Sequence, residues 1–206
     1  MTKIDFTKEY KQLYQPSARE FELVEVPRLT YLMVDGHGDP NTAPVYAQAV
    51  EALYGLAYRI KFISKAELGR DYVVPPLEGL WWADDYNSFT TALDKSKWDW
   101  TMLIMVPEWI SRELYERALD ELRRKKPLPA LEAIRMEPYE EGLAAQILHI
   151  GPYDAEGPVL ARLHQEWIPQ HGYVESGKHH EIYLSDPRRV EPAKLKTVLR
   201  QPVRKR

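Results

Sequence analysis

The chain has 206 residues, 44% of them hydrophobic, which is enough apolar material for a real core and excludes a disordered chain. Its formal net charge of -3 argues against an undirected nucleic-acid binder, and the runs Arg123-Arg124-Lys125-Lys126 and Arg204-Lys205-Arg206 read as solvated surface. Without cysteine there is no disulfide, no thiolate nucleophile and no zinc site built on sulfur.

The stretch from Met1 to Glu9 carries acidic residues and lacks the apolar run a signal peptide needs. Charges interrupt every hydrophobic segment short of the roughly 20 residues that cross a bilayer. A cytoplasmic location without membrane contact is the expectation.

In chain order, Leu29 to Gly36 reads as a strand, and Gly36-His37-Gly38-Asp39 leads through Pro44-Val45-Tyr46-Ala47 into a long helix. Val45, Ala49, Leu53, Leu56, Ala57, Ile60 and Ile63 recur there at three- and four-residue steps. Strands follow at Leu80 to Ala83 and Trp98 to Val106. Ser111 to Lys126 is an amphipathic helix with Leu114, Tyr115, Ala118, Leu119 and Leu122 on its apolar side, closed by Pro127 and Pro129.

The pattern then repeats. Leu143 to Ile150 is strand-like, and Gly151-Pro152-Tyr153-Asp154 leads through Pro158 into a helix carrying Val159, Leu160, Leu163 and Trp167. That helix ends near Pro169 and Gly172, and strands at Lys178 to Ser185 and Thr197 to Val203 complete the half. The expected fold is α+β: tandem strand-helix-strand-strand modules with pseudo-two-fold symmetry and a ligand groove between them. Module one covers about 20–108, the linker helix about 109–130 and module two about 131–206, all within a single domain.

Chemistry concentrates at His180-Glu181-Ile182-Tyr183-Leu184, where period-two alternation sends Glu181 and Tyr183 to one face and Ile182 and Leu184 to the other. A glutamate beside a tyrosine, with the aromatic segment Leu80-Trp81-Trp82 elsewhere, suits a cavity for flat or cationic organic molecules. Trp81 and Trp82 point to opposite faces of their strand. Aligning Ala83-Asp84 with Ser185-Asp186 pairs Trp81 with Tyr183, but a one-residue slip reverses this, so both tryptophans stay candidates. Tyr46 and Tyr153, near the two helix starts, fit either packing or the ligand wall.

No metal site is expected, because His179 and His180 are strand neighbours on opposite faces and no His-Glu-x-x-His pair exists. No glycine-rich phosphate loop or Gly-x-Ser-x-Gly elbow is present either, so no cofactor is expected.

Three segments, His180 to Pro187, His149-Ile150-Gly151-Pro152-Tyr153 and Pro76 to Trp82, resemble the GyrI-like small-molecule-binding family. The resemblance implies the tandem fold shared with effector domains of multidrug-responsive transcription factors. It also implies a glutamate on a second-module strand, here Glu181, lining a central groove whose aromatic rings sandwich the ligand. The same motif puts His180 among the candidate ligand-binding residues. Only about 20 residues precede the first strand, too few for a helix-turn-helix module, so direct nucleic-acid binding is not expected.

Stand-alone members with the Trp-Trp segment are similar to proteins that hydrolyse cyclopropane-bearing, DNA-alkylating compounds. By that resemblance Glu181 and Tyr183 are catalytic candidates, the carboxylate activating water in a detoxifying reaction. The alternatives are a non-catalytic drug sink or sensor domain, or a modulator with DNA gyrase as partner.

Overall fold

The computed structural model describes residues 2–84 and 94–206. In chain order its main elements are α1 (Phe6–Glu9), α2 (Lys11–Tyr14), β1 (Glu22–Val26), β2 (Leu29–His37), α3 (Pro44–Glu67), β3 (Leu77–Trp82) and β4 (Asp99–Val106). Then follow α4 (Arg112–Lys125), β5 (Arg135–Tyr139), β6 (Gly142–Ile150), α5 (157–170), β7 (Tyr173–Glu175), β8 (His179–Tyr183) and β9 (Lys196–Lys205). Contacts group the chain into two compact units. The first comprises Met1–Phe6, Leu29–Pro75 and Gly79–Tyr139; the second comprises Thr7–Arg28, Pro76–Glu78 and Glu140–Arg206.

In the first unit the strand order is β3-β4-β2-β5. Pro44 sits in the first turn of α3, where its missing N–H forfeits no helical hydrogen bond. Ala49, Leu53, Leu56, Ala57, Ile60 and Ile63 are buried as the periodicity requires, whereas Val45 is 42% exposed, so the apolar stripe starts one turn later than expected. Helix α4 packs on α3 and is capped by Ser111, whose Oγ accepts from the Leu114 N–H at 3.1 Å. Gly36 faces Trp100 across the β2–β4 ladder, and a Cβ at Gly36 would come within 2.0 Å of the indole. Only glycine lets that ring cross the strand there.

The second unit runs β1-β6-β9-β8, with β7 also on β9. The two orders correspond strand for strand: β6 matches β2, β9 matches β4, β8 matches β3 and β1 matches β5. Each half is therefore strand, helix, strand, strand, and Pro158, like Pro44, lies in the first helical turn. The units do not follow the contiguous boundaries read from sequence. The strand preceding β2 in the chain, β1, pairs with β6, and the strand preceding β6, β5, pairs with β2. Neither strand was foreseen. The ladder partner of Pro138 in β5 is Thr30, and a proline within such a short run demotes the strand signal.

One face of the second unit carries a row of polar side chains, partly buried at Glu22 and buried at Gln146, Arg200 and His180, fixed by strand register. Glu22 stands opposite Gln146, Gln146 opposite Arg200, and Arg200 opposite His180. His180 Nε2 lies 2.9 Å from Glu78 Oε2, and its Nδ1 lies 3.0 Å from both oxygens of Glu141. Arg200 donates to Glu141 at 3.2 Å, to Gln146 Oε1 at 3.1 Å and to the Leu13 carbonyl at 2.6 Å. Gln146 donates to the Gln12 carbonyl, and Tyr14 donates to Glu78 Oε1, so α2 is held to the row by three hydrogen bonds.

Burial pushes the His180 pKa down, but attraction to Glu141 and hydrogen bonds to Glu141 and Glu78 outweigh it and raise the value to about 9. Burial likewise pushes Glu141 up, and the charges of His180 and Arg200 overcome it and hold Glu141 at about 2. The sign for stability follows from these directions. The contribution of His180 is complete below its ordinary value of 6.5 and is lost as pH rises through about 9. That of Glu141 is complete above 4.5 and is lost as pH falls through about 2. The melting temperature should fall as pH is raised from 6.5 to 9, and the fall should flatten in His180→Gln. Calorimetric scans across that window check this, and an equal alkaline slope in both proteins contradicts it.

Candidate functional site

Strand β8 alternates as its sequence requires. His180 and Ile182 are fully buried at 0% exposure, while His179, Glu181 and Tyr183 share the other face and are partly exposed. On that face the Tyr183 hydroxyl donates to Glu181 Oε2 at 2.7 Å. The Tyr153 ring meets the Tyr183 ring edge-on at 5.8 Å. His179 Nε2 lies 3.4 Å from Glu181 Oε1, within ion-pair range. Among the described residues neither ring nitrogen of His179 makes an aligned hydrogen bond, although both are shielded from solvent. Thr197, opposite Tyr183 on β9, has a buried Oγ1 that also lacks a hydrogen-bond partner.

Helix α5 brings a second histidine to this face. Its middle, Arg162–Trp167, is a π-helical turn, a feature that often marks functional sites because the extra residue re-aims side chains. His164 lies in that turn, edge-on to His179 with ring centroids 6.2 Å apart, and its Nδ1 is 2.6 Å from Glu175 Oε1. That hydrogen bond holds the Glu175 carboxyl below its ordinary pKa, against the opposing effect of burial. Glu175 opposes Val203 and Glu181 opposes Leu199, four residues apart on β9, so both carboxylates lie on one side. Between β7 and β8 the backbone bulges at Gly177, whose φ of 139° suits glycine.

The expected residues divide into three groups. Glu181, Tyr183 and Tyr153 come together in the second unit. Tyr46 and Trp81 come together in the other unit, with ring centroids 6.3 Å apart and planes 28° apart. Trp98 meets Trp81 edge-on at 5.8 Å, and Trp100 meets Tyr46 edge-on at 5.3 Å. Trp81 is buried at 4% exposure, and Trp82 is partly exposed. His180 stands apart: it belongs to the opposite face of β8, with both nitrogens occupied by Glu78 and Glu141.

Sequence reasoning missed His164 and Glu175 as neighbours of this face. The available signal was the odd-numbered series His179, Glu181, Tyr183, which places His179 beside Glu181. Among the described residues no group of three or more histidines and carboxylates is arranged to hold a metal ion. No described helix is long and apolar enough to cross a membrane.

A family model described as the GyrI-like small molecule binding domain matches residues 19–204. The crystal structure of an uncharacterized conserved protein from Listeria innocua is 40% identical, with a TM-score of 0.89 over 98% of this chain and 100% of that one. A crystal structure of a hydrolase from Listeria innocua is also 40% identical over the same shares, with a TM-score of 0.84. The EcmrR C-terminal domain shares the fold at 15% identity and a TM-score of 0.55, covering 91% of this chain and 98% of that one. No curated protein matches the chain.

The contrast between Trp81 and Trp82 separates packing from contact with solutes. A planar aromatic ligand is expected to quench tryptophan fluorescence, and Trp82→Phe should remove most of that quench. Trp81→Phe should instead lower stability by about 0.5–3 kcal/mol, the usual range for altering a packed core ring, as read by chemical denaturation. Wild-type quenching in both variants would mean that neither ring lines the ligand.

Proposed function

Because the chain belongs to the GyrI-like family of small-molecule-binding domains, we propose that it binds a flat aromatic compound and hydrolyses a strained cyclopropane ring within it. The observation that carries this reading is Glu181 itself. Its carboxylate is largely shielded, accepts the Tyr183 hydroxyl through one oxygen, and has the Tyr153–Tyr183 ring pair beside it. The 40% identity to a Listeria innocua hydrolase over nearly the whole chain supports a hydrolytic reading over binding alone.

In this reaction a water oxygen bonds to a ring carbon as the strained carbon–carbon bond breaks. Glu181 takes the water proton, and the opened carbon framework takes up a proton, so the product is the ligand plus one water. Relief of ring strain supplies driving force, and the protein contributes a positioned base and orientation. Tyr183 holds one carboxylate oxygen, leaving the other to face the water. The aromatic rings orient the flat ligand. Removal of such compounds is a detoxifying activity, and it consumes no cofactor.

Glu181→Gln should keep the thermal melt within a few degrees of wild type and lower turnover by roughly 10²-fold or more, the scale of losing a general base. A chelator should leave the wild-type rate unchanged. Chromatography of a cyclopropane-bearing alkylating compound over several turnovers, with a no-protein control, reads both outcomes. Stoichiometric binding without product would establish a drug sink instead.

A further inference from the structure

We propose that His179 is a positioning residue for Glu181, fixing its carboxylate and receiving the water proton that Glu181 takes up. The inference rests on the hydrolytic reading above. It starts from an imbalance between the two faces of β8. His180 has a partner for each ring nitrogen, whereas its neighbour His179 is 14% exposed and has shielded nitrogens without an aligned hydrogen bond. A shielded imidazole in that state costs free energy unless something else holds it there or another group visits it.

Two observations say what that group is. Nε2 of His179 is 3.4 Å from Glu181 Oε1, the oxygen that Tyr183 does not occupy. A small rotation of either side chain turns that approach into a hydrogen bond, and catalytic hydrogen bonds often tighten only when ligand is present. Next to His179 stands His164, edge-on at 6.2 Å and oriented by its own 2.6 Å contact with Glu175. The π turn that delivers His164 thus places an oriented imidazole edge-on to His179.

Proton balance gives the arrangement a use. As the carbon–oxygen bond forms, the proton leaves water for Glu181, which must lose it before the next turnover. Transfer from Glu181 Oε1 to His179 Nε2 restores the carboxylate and leaves an imidazolium. That imidazolium gives its proton up to solvent, or to the opened carbon framework, and returns to neutral. No electrons are exchanged with any other reagent, and the net change remains the addition of one water.

The test has two arms. In the ligand-free protein, side-chain ¹⁵N spectra of the histidines should show the His179 nitrogens shifting in Glu181→Gln while those of His180 stay fixed. An unchanged His179 signal overturns the proposal whether or not the protein turns over any compound. In the kinetic arm, His179→Gln should lower kcat roughly tenfold or more with KM and melting temperature near wild type, since the loss lies in proton handling and alignment of the base. Equal kcat values overturn the role of His179 and leave the hydrolytic reading standing. Absence of turnover in the wild type, across a panel of cyclopropane-bearing compounds, overturns both.

Discussion

The charge cluster around His180 is the constraint from which the geometry of β8 follows. A histidine at 0% exposure with its pKa raised to about 9 is held in place by two carboxylates, and Arg200 balances one of them. Removing one partner of such a cluster leaves an uncompensated buried charge, so the groups must stay together. A one-residue slip of β8 would bring His179 or Glu181 into that cluster and turn Ile182 outward. The register of His180 against Arg200 therefore also determines that Glu181 lies opposite Leu199, on the other face. The candidate base is placed by an interaction in which it takes no part.

The two faces of that strand are built to opposite rules. On the His180 face, Glu22, Gln146, Arg200, His180 and Glu78 pass hydrogen bonds along the row and to α2. On the Glu181 face, the His179 nitrogens and Thr197 Oγ1 are shielded and make no aligned hydrogen bond among the described residues. A satisfied network rigidifies, while unsatisfied polar atoms around a carboxylate are poised to meet a ligand or water. Two such side chains, His179 and Thr197, lie on the face that carries Glu181.

Much of this was legible in the residues. Period-two alternation gave the faces of β8, and the two prolines marked the entries to α3 and α5 because a first turn tolerates a missing N–H. Three things were hidden for physical reasons. Strands β1 and β5 pair away from the strands that follow them, and nothing local in a five-residue segment encodes its partner. His180 was grouped with Glu181 by adjacency, whereas its partners Glu141 and Glu78 lie 39 and 102 residues away. His164 sits in a π turn, which the 3.6-residue period used to read a helix does not describe.

The repeat also shows where the two halves differ. The alignment that pairs Trp81 with Tyr183 is matched by the ring pairs, Tyr46 with Trp81 and Tyr153 with Tyr183, each joining a residue near a helix start to one on a strand. Carried two residues back, it sets Gly79 against Glu181, and one further it sets Glu78 against His180. The last pair has complementary charge and meets at 2.9 Å inside the second unit, which takes in Pro76–Glu78. The pair before it has no such complement. Glycine offers no carboxylate, and the first half keeps the aromatic part of the pattern without the acid. Ring pairs therefore occur in both halves, whereas Glu181, with His179 beside it and His164 next to His179, belongs to the second.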